Sequence, residues 1–104
     1  HVLGRRARYY AALCRLELGD AEGARKALKA LADAAPASSL EGALARIGLA
    51  DADRRSGALD KAVESYRALS DEAALGMPRD YVIMSLASTL ETAQRTTEAV
   101  ASYR

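Results

Sequence analysis

Hydrophobic positions along this chain fall three and four residues apart, the spacing that lines one side of an α-helix. Tyr9, Leu13 and Leu16, with small Ala12 between them, make a first stripe that ends at Gly19, suited to the left-handed conformation that closes many helices. Asp20 follows as an N-cap, and Ala21, Ala24, Leu28 and Leu31 carry a second stripe to about Ala34, before Pro36. Ser38-Ser39-Leu40-Glu41 reads as a capping box opening a third helix, with Leu44, Ile47, Leu49 and Ala50 inside it and Gly57 at its end. Leu59, Ala62, Val63, Tyr66 and Leu69 form a fourth, stopped by Gly76. Pro78 suits the first turn of a fifth helix, continued by Tyr81, Ile83, Leu86, Ala87 and Leu90, and a sixth is expected from near Thr96.

The order is therefore helix, short turn, helix, and it repeats. Ala24, Ala62 and Ala99 stand at intervals of 38 and 37 residues, and Ala62-Val63-Glu64-Ser65-Tyr66-Arg67 shares five of six residues with Ala99-Val100-Ala101-Ser102-Tyr103-Arg104. Helices joined by such short turns lie antiparallel and close, so small residues belong where their axes cross. Ala12, Ala50 and Ala87 fill that role in the first helix of each pair, and Ala24, Ala62 and Ala99 in the second.

Composition agrees. Half of the 104 residues are hydrophobic, chiefly alanine and leucine, with five Tyr and no Phe or Trp, an alphabet that excludes an all-β domain. A charged fraction of 28% with net charge +1 argues against disorder and against polyanion binding. The one histidine is His1 and the one cysteine Cys14, so His-based triads, His-rich zinc sites and an internal disulfide are all excluded. No apolar run is long enough to span a bilayer, and no signal-peptide pattern appears. Without an initiating Met, and ending within a helical pattern, the chain reads as a piece of a longer protein.

Gly19 and Gly57 at the turns, Ala24, Ala62 and Ala99 early in each second helix, Leu28, Tyr66 and Tyr103 four positions later, and Pro36 at a unit's end resemble the tetratricopeptide repeat. The unit is 37–38 residues rather than 34, the usual Trp is absent, and Gln94 stands in place of the third turn glycine. The longer second helices are similar to those of repeat domains in bacterial cell-envelope proteins, including the periplasmic ancillary subunit of the Sec translocon. The resemblance implies a right-handed α-solenoid of about two and a half repeats, in units 5–36, 38–76 and 78–104 of one domain. It also implies a non-catalytic scaffold without cofactor or metal, whose first helices line a concave groove for a peptide or partner protein. A structural spacer in a larger envelope protein, or an ancillary translocon or chaperone-like subunit, is the alternative. Carried over position by position, the groove residues are Arg6, Tyr9, Leu13, Leu16 and Glu17, then Leu44, Ile47, Asp51, Arg54 and Arg55, then Tyr81, Met84, Ser88 and Glu91. The Lys/Asn set that clamps a C-terminal carboxylate in chaperone-binding relatives is not found there.

An end unit of such an array has a face that no neighbour covers, so Leu86, Leu90, Val100 and Tyr103 are expected to be partly exposed, favouring end-to-end or swapped association. Arg5, Arg6, Arg8 and Arg15 make the first eighteen residues net +3 against −2 for the rest. A solvated helix face explains them more simply than a nucleic-acid patch. Asp51 and Asp53, two apart on a helix, point in different directions and read as surface carboxylates rather than a metal or acid pair. Cys14 reads as a small core or half-buried residue, and Arg55-Ser56-Gly57 as a helix end.

Overall fold

The computed structural model describes residues 2–36, 39–71 and 78–102, with side chains at 4, 6–36, 39–71 and 78–98. These form five α-helices: α1 (Val2–Glu17), α2 (Ala21–Ala34), α3 (Leu40–Arg55), α4 (Leu59–Ser70) and α5 (Arg79–Ser102). Each packs on the next in chain order and α1 also touches α3, so the chain is an all-α helical repeat, 53 × 29 × 18 Å.

The two turns within pairs are built alike. Gly19 and Gly57 take φ of +87° and +89°. The Asp20 N–H donates to the Arg15 carbonyl and the Gly19 N–H to that of Leu16; one unit on, Ala58 donates to Asp53 and Gly57 to Arg54. These are Schellman closures, in which a left-handed residue turns the backbone so that the last helical carbonyls find donors. Asp20 then caps α2, its carboxylate accepting from the Gly23 N–H at 2.9 Å.

Alanine at the crossings lets the axes approach. Ala12, Ala24, Ala50 and Ala62 are fully buried, and Ala50 and Ala62 share one core with Ala43, Ile47, Tyr66, Leu69 and Val82. Leu16, Ala24 and Ala52 form a second core where α1, α2 and α3 meet. Between α2 and α3, Gly48 lies against Leu28, and a Cβ there would come within 2.9 Å of a Leu28 methyl.

Several expectations need correction. There is no sixth helix from Thr96: α5 runs unbroken from Arg79 to Ser102. Gln94 occupies the position of the turn glycines, and it extends the helix instead, donating to Glu98 while the Thr92, Thr96 and Thr97 hydroxyls donate to carbonyls four residues back. Consequently nothing among the described residues folds back over Ala87, which is exposed although Ala12 and Ala50 are buried. The inner face of α5 is Val82, Ser85 and Thr89 with Leu86 half-buried, whereas Tyr81, Ile83 and Leu90 are exposed. Thr89 is tolerated inside because its hydroxyl donates to the Ser85 carbonyl within the same helix.

α4 ends at Ser70, where the Asp71 N–H donates to Ala68, ahead of Gly76, which lies outside the described residues. The cap of α3 is Ser39, accepting from Gly42 at 3.0 Å and donating to the Pro36 carbonyl. That register puts Glu41 at the second helical position, one short of the reciprocal capping-box contact. Cys14 is exposed, because it sits on the side of α1 turned away from α2 and α3. Asp53 is buried beside Arg25 of α2, and Asp51 is half-buried, so neither is a surface carboxylate. His1, Ser38 and the side chains of Arg5, Ala99, Val100 and Tyr103 lie outside what is described.

Candidate partner-binding groove

Because first helices α1, α3 and α5 stand side by side, residues a full unit apart in sequence converge on one concave surface. It holds a cavity of about 400 Å³, lined by Tyr9, Leu13, Leu16 and Glu17 of α1, Leu44, Ile47, Asp51 and Arg55 of α3, Pro78, and Tyr81 of α5. A neighbouring hollow of about 290 Å³ continues it past Tyr9 and Leu44 to Arg6, Tyr10, Leu40 and Glu41. The walls are aliphatic and the polar groups few and convergent, the usual make-up of a binding surface.

Asp51 organises the polar part. One of its oxygens accepts from the buried Tyr66 hydroxyl and the other from the Tyr81 hydroxyl at 2.9 Å, so a single carboxylate joins α3, α4 and α5. Arg54 lies 3.9 Å from the same carboxylate, with its guanidinium 6.0 Å from the centre of the Tyr66 ring. Burial raises the Tyr66 pKa well above its ordinary value of 10.0, and its hydrogen bond to Asp51 adds to the shift. Tyr81 is raised for the same two reasons in the same order, and Tyr9 by burial and then by the negative charge of Asp51. All three phenols are therefore neutral at ordinary pH.

Arg55 ties the first two units together. Its guanidinium donates to the Leu16 carbonyl at 3.3 Å, near the end of α1, and to Glu17 at 2.9 Å. Of the groove residues expected from sequence, Tyr9, Asp51, Arg55 and Tyr81 line the main cavity, and Arg6 the hollow beside it. Arg54 is turned toward Asp51 and Tyr66 instead. Met84 and Glu91 line neither: Met84 is 71% exposed, and Glu91 pairs with Arg95 on its own helix.

Sequence reasoning missed Tyr66 as the partner of Asp51, Pro78 as a wall, and the Arg25–Asp53 ion pair. One signal pointed to the carboxylates: both lie near the C-terminus of α3, where the helix dipole disfavours negative charge unless something else holds it.

Among the described residues no helix is long and apolar enough to cross a membrane, and no group of three or more His, Cys, Asp and Glu is placed to hold a metal ion. Compared with known families, residues 6–38, which span most of α1 and all of α2, match the model of the tetratricopeptide repeat. No curated protein and no solved structure matches the chain.

Proposed function

We propose, from the premise that this chain belongs to the tetratricopeptide repeat family, whose repeats generally mediate protein–protein interaction, that it is a non-catalytic scaffold holding a peptide or partner protein in the groove between α1, α3 and α5. The observation carrying this reading is the open cavity of about 400 Å³, whose aliphatic lining comes from α1 and α3, the first helices of both complete pairs, with Tyr9 and Tyr81 also lining it. Leu13, Leu44 and Ile47 would take apolar side chains of the partner, and Asp51 holds Tyr81 in place for them.

The spacer reading draws on a different observation. Asp51 and Arg55 are engaged within the chain, so the polar part of the groove is complete without a partner. A larger bacterial envelope protein remains the setting suggested by the resemblance of the sequence. The exposed apolar side chains Tyr10 and Leu18, and Ile83 and Leu90 of α5, would favour end-to-end association of copies of the chain as a second kind of contact.

Affinity capture with the parent chain and with Leu13→Glu and Tyr81→Ala variants tests the scaffold reading. Both substitutions alter the groove lining, and Tyr81 is 43% exposed, so the helix pairs should keep their packing. Partners retained by the parent and lost from both variants are the expected result. Identical partners for all three would leave the spacer as the function.

A further inference from the structure

We propose that the groove between α1, α3 and α5 takes an α-helix of a partner protein, one whose facing residues are aliphatic and uncharged, rather than an extended peptide. The inference rests on the scaffold reading above and narrows its partner.

The two cavities fix the direction of the groove. Advancing along α1 from Arg6 through Tyr9 to Glu17 goes with advancing along α3 from Glu41 through Leu44 to Arg55, and at the far end Arg55 meets Glu17 at 2.9 Å. The two helices therefore run parallel, and the groove is a trough along both. From Arg6 to Glu17 it measures about 16 Å at roughly 1.5 Å per residue, or about three helical turns.

The polar side chains of the trough are already engaged. Both Asp51 oxygens accept from tyrosine hydroxyls, Arg54 stands 3.9 Å from the same carboxylate, and Arg55 donates to Glu17 and to the Leu16 carbonyl. Of the side chains lining the main cavity, Tyr9 keeps a hydroxyl with no hydrogen-bond partner among the described residues. An extended peptide turns backbone N–H and C=O groups toward the surface it lies on. Most of them would lose water against Leu13, Leu44 and Ile47 and gain no partner in exchange. A helix satisfies its own backbone and brings only side chains to the wall. Charge selects in the same way. Arg55 answers Glu17, Arg54 answers Asp51, and the adjoining hollow adds one residue of each sign, Arg6 and Glu41. A charged side chain entering the main cavity would be desolvated with no unmatched charge to meet it.

The fold supplies its own example of what fits between these two helices. α2 packs against both α1 and α3, and it does so with buried Ala24, Leu28 and Leu31, spaced four and three apart. No residue of α2 lines the trough, which is therefore the other side of the same helix pair. Where α2 docks, α3 is small, with Gly48 against Leu28 and Ala52 in one core with Ala24. The trough is walled instead by Tyr9, Leu13, Leu44 and Ile47. A helix lying there is held further off than α2, and the space of about 400 Å³ calls for long aliphatic side chains, Leu, Ile or Met, recurring three and four residues apart.

A displayed library of random peptides of about 16 residues, selected on the parent chain and counter-selected on Leu13→Glu, tests this without naming a partner in advance. Enriched peptides should carry aliphatic residues three and four apart with no charge among them and gain helical circular dichroism on binding. Placing Pro in their central turn should weaken binding about tenfold or more. Their affinity should change by less than about twofold between low and high salt. Peptides whose apolar residues alternate and which tolerate Pro, or which need a charge in the stripe and weaken steeply with salt, would overturn the helix and leave the groove as the binding surface. Enrichment that does not distinguish the parent from Leu13→Glu would overturn both. Tyr9→Ala takes the place of Leu13→Glu if the latter loses helix content. Self-association of the parent chain that the same substitution abolishes would make a second copy the occupant and overturn the partner protein.

Discussion

Ala62 shows how much a single small side chain decides. It is fully buried in one core with Ala50, Ile47 and Tyr66, between α3 and α4, where a close-packed interior has little space for a longer group. Ala62→Leu is expected to cost roughly 1–3 kcal/mol through overpacking, read as a lowered denaturant midpoint. The tyrosines set a different dependence, on pH. Tyr9, Tyr66 and Tyr81 are held protonated in the folded chain, burial being the largest cause in each. A raised folded pKa means that the unfolded chain gives up its phenol protons first, so stability is complete below the ordinary value of 10.0 and declines as pH rises above it. Alkaline unfolding followed together with phenolate absorbance should show ionisation of these tyrosines arriving with loss of helix rather than before it.

Among the elements, α5 departs furthest from the repeat, and one residue accounts for it. Gly19 and Gly57 adopt a conformation that residues with a Cβ enter only at a cost of roughly 1–2 kcal/mol. Gln94 instead joins a ladder of contacts four residues apart, with Glu91–Arg95 beside it. Gln94→Gly should therefore lower the local stability of α5 by about 1 kcal/mol, seen as faster amide exchange across residues 91–98. It also restores the residue type that closes α1 and α3. The same pattern explains why the first four helices were legible in the sequence and the last boundary was not. Apolar spacing is shared by two short helices and one long one, and only the missing glycine distinguishes them.

At the scale of the whole molecule, stability passes from neighbour to neighbour. α3 packs against α1, α2 and α4, whereas α5 packs chiefly against α4. In a stack of this kind the ends open before the centre. Native-state hydrogen exchange should find the slowest amides in α3, around Ala45–Ala50, and the fastest in α5 beyond Gln94; uniform protection along the chain would contradict a neighbour-to-neighbour stack. The groove follows from this same arrangement, since α1, α3 and α5 reach one surface only because α2 and α4 space them.

Local chemistry written in the sequence was enough to determine the first four helices, the two glycine turns, the alanine crossings of the first two pairs and the repeat. Apolar spacing, left-handed glycines and small residues act within a few positions of one another, so no distant contact is needed to read them. Tertiary structure alone decided which polar groups meet. Asp51 accepts from Tyr66 and Tyr81, fifteen and thirty residues away, and Arg25 reaches Asp53 across a helix interface. Such pairings depend on the rotation and separation of packed helices, quantities that a periodic pattern leaves free and that packing fixes.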